Sequence, residues 1–232
     1  MNRLRTESML GKQIVDSLDH FLKIILQMAW LNFLWFIFTL LGLVIGGIFP
    51  ATTSAISVAR NWLQEGKINS TYLTFKRTYK AEFKKSNFIG FSLVSIMILL
   101  YLNYYALLQF GEQMPIIIVF AYYLLIILFS FICVWLFPLV SHYEAKVVQY
   151  FKNAFIIGLI KFPCTLAMMG SVFFIIYFSL MIPSLILFFS VSLIALSLAF
   201  FSSRVFEQID HQVSTSVRTT QKQDRFSKSI SE

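Results

Sequence analysis

Four stretches of the chain carry no Asp, Glu, Lys or Arg: Ile24–Ala59 (36 residues), Ser86–Gly111 (26), Gln113–Ser141 (29) and Phe162–Ser203 (42). A helix needs roughly 20 apolar residues to cross a hydrocarbon core of about 30 Å. In lipid the backbone must satisfy its own hydrogen bonds, so each stretch is expected to be helical. The 26- and 29-residue runs predict one span each, over 87–111 and 115–140. The 42-residue run is too long for one span and is divided by Pro183, predicting spans over 163–181 and 184–204 with a tight turn between them.

The first run admits two readings, one long tilted helix or a hairpin. Paired glycines before a proline, Gly46-Gly47-Ile48-Phe49-Pro50, supply a break at which a second helix could start. A span over 24–45 would then be followed by a short arm over 50–62, whose Ala51, Thr52, Thr53, Ser54 and Ala55 suit close packing against other helices better than contact with lipid. Cations mark the cytoplasmic side of a membrane protein. A hairpin places all 19 Lys and Arg on one side, whereas a single span leaves Arg3, Arg5, Lys12 and Lys23 on the other. The charge pattern favours the hairpin.

Between the runs lie two amphipathic segments. In the first, Tyr72, Phe75, Tyr79 and Phe83 recur at helical spacing, flanked by Lys76, Arg77, Lys80, Lys84 and Lys85. In the second, Tyr143, Val147, Tyr150, Phe151, Ala154 and Phe155 can share a face, with Lys146, Lys152 and Lys161 around the rest. Aromatic faces flanked by cations predict helices lying on the membrane surface, with rings at the headgroups and cations toward anionic lipid. Such helices are either plain connectors or docking surfaces for a cytoplasmic partner. The candidate docking residues are Arg60, Phe75, Tyr79, Phe83, Lys84, Lys85, Tyr150, Phe151 and Lys152. Tethering to the bilayer at both ends argues against nucleic acid as the partner. A further amphipathic helix is expected over residues 8–22, and charges continuing to Lys23 argue against a cleavable signal peptide. The Ser/Thr/Gln-rich residues 207–232 are expected to be a solvated, mostly flexible tail beyond one domain covering 1–206.

Composition sharpens this picture. The 232 residues are 58% hydrophobic and 13% charged, with a net charge of +8. That excludes a disordered chain, and a soluble globule of this length could not bury so much apolar surface. His20, His142 and His211 lie far apart without ligand-spaced neighbours, so no metal site is expected. Cys133 and Cys164 fall in predicted spans and argue against a structural disulfide. No phosphate loop, HExxH or GxSxG motif occurs, so no cofactor and no enzyme activity are expected. No acidic residue lies within a predicted span, which removes the usual carriers of proton coupling, and Glu112 falls at the turn between two spans. The intramembrane polar residues are neutral; Asn32, Thr52, Thr53 and Asn103 are candidates either to hydrogen-bond a neighbouring helix or to line a cavity.

Several of these pieces together resemble the YesL-like family of bacterial integral membrane proteins, whose shared domain has no assigned function. They are Leu31 through Trp35, Gly42 through Thr52 with Gly46, Gly47 and Pro50, Val58 through Trp62, and Phe75, Tyr79 and Phe83 through Asn87 leading into Gly90. Pro138, His142-Tyr143 and Tyr150 through Ala154 resemble the family's second cytoplasmic element. The resemblance covers about residues 10–206 and is most specific from Gly46 to Asn87. It implies a multi-pass plasma-membrane protein, commonly from Gram-positive bacteria, and the cation pattern adds the expectation that both termini are cytoplasmic. Relatives tend to be encoded beside ABC-type oligosaccharide importers, which implies an accessory role in carbohydrate uptake. It brings no catalytic or binding residues with it.

The expectation is therefore an all-α, polytopic transmembrane bundle of five to six membrane segments with amphipathic interfacial helices. Membrane lipids and ABC permease subunits are its expected partners, with no nucleic acid and no metal. The favoured role is a non-enzymatic accessory or assembly partner of an ABC-type carbohydrate importer. The alternative is a transporter or channel for a small neutral solute, built on the broken first hairpin with Asn32 and Asn103.

Overall fold

The computed structural model describes residues 2–65, 71–110 and 115–231, and all the regular structure among them is helical. The elements are α1 (Asn2–Leu41), α2 (Ile48–Glu65), α3 (Thr71–Phe110), α4 (Ile116–His142), α5 (Val147–Ile160), α6 (Phe162–Met181), α7 (Pro183–Phe188) and α8 (Ser190–Ser231). Among the described residues five stretches are long and apolar enough to cross a membrane: Phe21–Leu41, Thr71–Gln109, Ile116–His142, Phe162–Met181 and Ser190–Gln212. The protein is a polytopic helical membrane bundle. Glu112 and its turn lie outside the described residues.

The first charge-free run folds back on itself. α1 ends at Leu41, a turn occupies 42–47, and α2 returns beside α1, with Trp35 Nε1 donating to Thr52 Oγ1 at 3.2 Å. The break begins four residues before Gly46. In the turn Leu43 and Val44 take left-handed φ of 56° and 63°, although three glycines are within reach. The glycines serve close approach instead: a Cβ on Gly47 would lie 2.3 Å from the Thr39 carbonyl oxygen. Pro50 sits in the first turn of α2, where its missing N–H costs nothing. Ala51, Thr53, Ser54, Ala55, Ile56, Val58 and Ala59 are buried, and α2 packs on α1, α3, α4 and α8. The small-residue arm is thus the centre of the bundle, because small side chains let four helices approach one another.

α3 differs from expectation. The basic segment does not form a separate surface helix; it is the first half of one 40-residue helix, about 60 Å long, because no proline interrupts it. Its rings also point inward. Phe75 and Tyr79 are buried, each with its ring 5.0 Å from that of Phe38, and Tyr79 donates its hydroxyl to the Phe38 carbonyl at 2.9 Å. A spacing of three and four fixes which residues share a face but not what covers it, and here the returning α1–α2 hairpin covers it. The apolar half of α3 leaves the bundle with α4 as an arm. The most apolar windows of these two helices are 6% buried, against 50% for α8. Tyr122 joins them, donating to the Leu100 carbonyl at 3.0 Å and stacking on Tyr104.

α5 also departs from the surface-lying expectation. Tyr150 near its start reaches back to the Tyr143 carbonyl, and Gly158 near its end packs on Phe131 and Trp135. It therefore runs antiparallel to α4, retracing the last three turns of that helix.

α6 and α8 are antiparallel neighbours, joined by the hydroxyl pairs Ser171–Ser197 and Ser179–Ser190, each at 2.6 Å. The tight turn expected at Pro183 is a short helix, α7, started by that proline. With no glycine or proline after Pro183, α8 continues as helix through Ser231 instead of ending at a flexible tail. Likewise α1 begins at Asn2, so residues 8–22 continue into the first span without a break. The side chains of residues 1–17, and of His20, lie outside the described residues.

Candidate functional site

Two clusters of polar side chains tie helices together. The first lies at the break between α7 and α8. Asn32 of α1 is fully buried, and its Nδ2 donates to the carbonyls of Ile186, at 3.2 Å, and Leu187. Its Oδ1 accepts from the backbone N–H of Val191 at 3.0 Å. One amide thus satisfies backbone groups freed by the break, which would otherwise be orphaned in an apolar setting. Ser190 donates to the Leu185 carbonyl at 2.9 Å, and Ser192 donates to the Met28 carbonyl at 2.5 Å. Asn103 is remote from this clamp: it is exposed on the arm and bonds the Leu99 carbonyl of its own helix. Thr52 accepts from Trp35 and donates to the Ile48 carbonyl, while Thr53 meets Ser86 of α3 at 2.9 Å. Asn32, Thr52 and Thr53 therefore join neighbouring helices, Asn103 bonds only within its own, and the four do not converge on one cavity.

The second lies at the charged end, where α2, α4, α5 and α8 meet. Arg60 on the last turns of α2 donates to the Ser141 carbonyl at 2.8 Å and lies 2.6 Å from His142 Nδ1. Because a guanidinium can only donate, Nδ1 accepts, and the neutral ring carries its proton on Nε2. That nitrogen faces Asp210 of α8 at 3.5 Å, and Tyr143 donates to the other Asp210 oxygen at 2.8 Å. Phe206 lies under the His142 ring at 4.8 Å. Burial lowers the pKa of the Arg60 guanidinium and, with Asp210 close by, raises that of the Tyr143 phenol, which stays a donor. His142, which in the sequence stands alone, links Arg60 to Asp210. Sequence separations of 82 and 68 residues hide that link.

Next to it, Lys85 pairs with Glu82 at 2.9 Å and sits 5.7 Å over the Tyr150 ring. Tyr150 donates to the Tyr143 carbonyl at 2.5 Å and accepts from the Ala145 N–H at 3.0 Å. These contacts tie the α4–α5 connection to α3. They also correct the candidate docking surface. Phe75, Tyr79 and Tyr150 are buried, and Arg60 and Lys85 are spent on internal contacts, so none of the five is offered to a partner. Phe83, Lys84 and Lys152 remain exposed, and Phe151 is half-buried. Among the described residues no group of three or more His, Cys, Asp or Glu could hold a metal ion.

The charged end joins helices, and it contains no nucleophile paired with a base. The α1–α2 hairpin and α3 up to residue 104 coincide with the part of the chain, residues 28–104, that matches the family described as "Protein of unknown function, DUF624". Three proteins of Bacillus subtilis (strain 168), each described as uncharacterized, are similar over more of the chain. YesL is 28% identical over 199 residues, covering 86% of this chain and 94% of its own length. YesV is 31% identical over 199 residues, covering 86% and 96%. YteU is 35% identical over 172 residues, covering 74% and 77%. No solved structure matches the chain. With nearly the whole length of YesL and YesV aligned to the bundle just described, the chain belongs to the YesL-like family of DUF624 membrane proteins.

Proposed function

We propose that this protein is a non-enzymatic accessory or assembly partner of an ABC-type carbohydrate importer, residing in the bacterial plasma membrane with both termini in the cytoplasm. The observation that carries the interaction reading is the outward face of α5. This helix has 14 residues, about 21 Å, which is short of a span. Its inner face, Tyr150, Ala154 and Gly158, is buried on the bundle, while Val148, Phe155, Ile156 and Leu159 form an exposed apolar stripe. Lys152 sits exposed in the middle of that stripe, and a cation there disfavours immersion in hydrocarbon. An apolar face with a central cation, on a helix fastened to the bundle, suits a groove on another membrane protein. The carbohydrate importer as partner rests on the family resemblance.

Affinity purification in mild detergent tests this reading. Permease subunits should co-purify with the wild-type chain. They should be lost from Phe155→Glu/Leu159→Glu, while thermal stability changes by no more than about 0.5 kcal/mol per exposed position. Repeated recovery of the chain alone from membranes that contain the importer would refute it.

A further inference from the structure

The exposed cations on the first half of α3 are independent of α5. Lys76, Arg77, Lys80 and Lys84 are all exposed, with 76, 80 and 84 stacked at one-turn intervals. Among the described residues no ion pair engages any of the four; Lys85, by contrast, is taken by Glu82. The rings of Phe75 and Tyr79, buried on the opposite side, lock the rotation of the helix, so the cations cannot turn away. The next residue after Lys85 opens the charge-free run that forms the membrane arm. Because α3 is continuous, Lys84 lies about 3 Å and Lys76 about 15 Å along the helix from that boundary. The near end of the row is within one Debye length, about 8 Å, of that boundary.

We propose that Lys76, Arg77, Lys80 and Lys84 form a binding stripe for anionic phospholipid headgroups. Charge complementarity and continuity with the spanning half of the same helix select this occupant: whatever surrounds the arm presents its headgroups to these side chains. Cations near an anionic surface each favour binding by about fivefold, so removing three should weaken the preference by well over tenfold.

The full chain reconstituted in nanodiscs of phosphatidylcholine with a minor share of phosphatidylglycerol supplies the test, with retained lipids counted by native mass spectrometry. The wild type should retain phosphatidylglycerol in preference to phosphatidylcholine, and added salt should reduce that preference. Lys76→Gln/Lys80→Gln/Lys84→Gln should lose it by at least about tenfold with an unchanged helical melt. Lys222→Gln/Arg225→Gln/Lys228→Gln, which removes the same charge from the far end of α8, should keep it. A wild type without preference would overturn the proposal, and so would equal losses in the two triple variants. No permease is present in this experiment, so its outcome is separate from that of the proposed function.

Discussion

Asn32 shows how much one neutral side chain can carry inside a bundle. Its amide reaches two carbonyls and one N–H at the α7–α8 break, and both of its polar atoms are used. Asn32→Ala would leave these backbone groups without partners in a buried setting, at a cost of about 2 kcal/mol. Asn103→Ala, on an exposed face bonded to its own helix, should change stability by under about 0.5 kcal/mol. Thermal melts of the two variants in one detergent make the comparison, and equal losses would contradict the clamp. In the sequence the two asparagines look alike, both neutral and flanked by aromatics within apolar runs. Their difference lies in partners some 155 residues away, which no local pattern encodes. The same holds for Arg60, whose cation marks a membrane boundary in the sequence yet folds inward to Ser141 and His142.

At the scale of elements, charge-free runs and breakers located the helices well because the cost of burying charge in lipid is large and local. The fold-back of the first run was legible from Gly46, Gly47 and Pro50, although the turn already begins at Gly42. The packing of the aromatic face of α3 was not, since a ring gains similarly from covering by protein or by headgroups. Phe75→Ala now separates the two: a buried ring should cost about 3–5 kcal/mol, a surface ring far less. The α1–α2 turn makes a second prediction. A left-handed conformation costs an L-residue about 1–2 kcal/mol, and β-branched Val44 holds one at φ 63°. Val44→Gly should therefore stabilise the protein by about 0.5–1 kcal/mol, after allowing for the entropy of glycine in the unfolded chain. Gly47→Ala should do the reverse, because its new methyl would meet the Thr39 backbone at 2.3 Å. A turn that tolerates alanine at 47 and gains nothing from glycine at 44 would mean the hairpin closes differently.

Across the whole molecule, the charged end gathers Arg60, His142, Tyr143 and Asp210 from three helices and the connection after α4. The proposed orientation, with both termini in the cytoplasm, is tested from outside the cell. A cysteine at position 113, between α3 and α4, should react with an impermeant maleimide on intact cells. One at position 216, on the extension of α8, should react only after permeabilisation. The reverse pattern would invert the proposed orientation. The arm itself has a mechanical consequence. A helix that outreaches its bilayer tilts to fit, so a thinner membrane lays the arm over. α3 has no joint between that arm and the basic segment, and a rod without a joint passes its tilt along its length. A change of tilt in the arm would thereby reach Phe75 and Tyr79, where the rod packs on Phe38 of the hairpin.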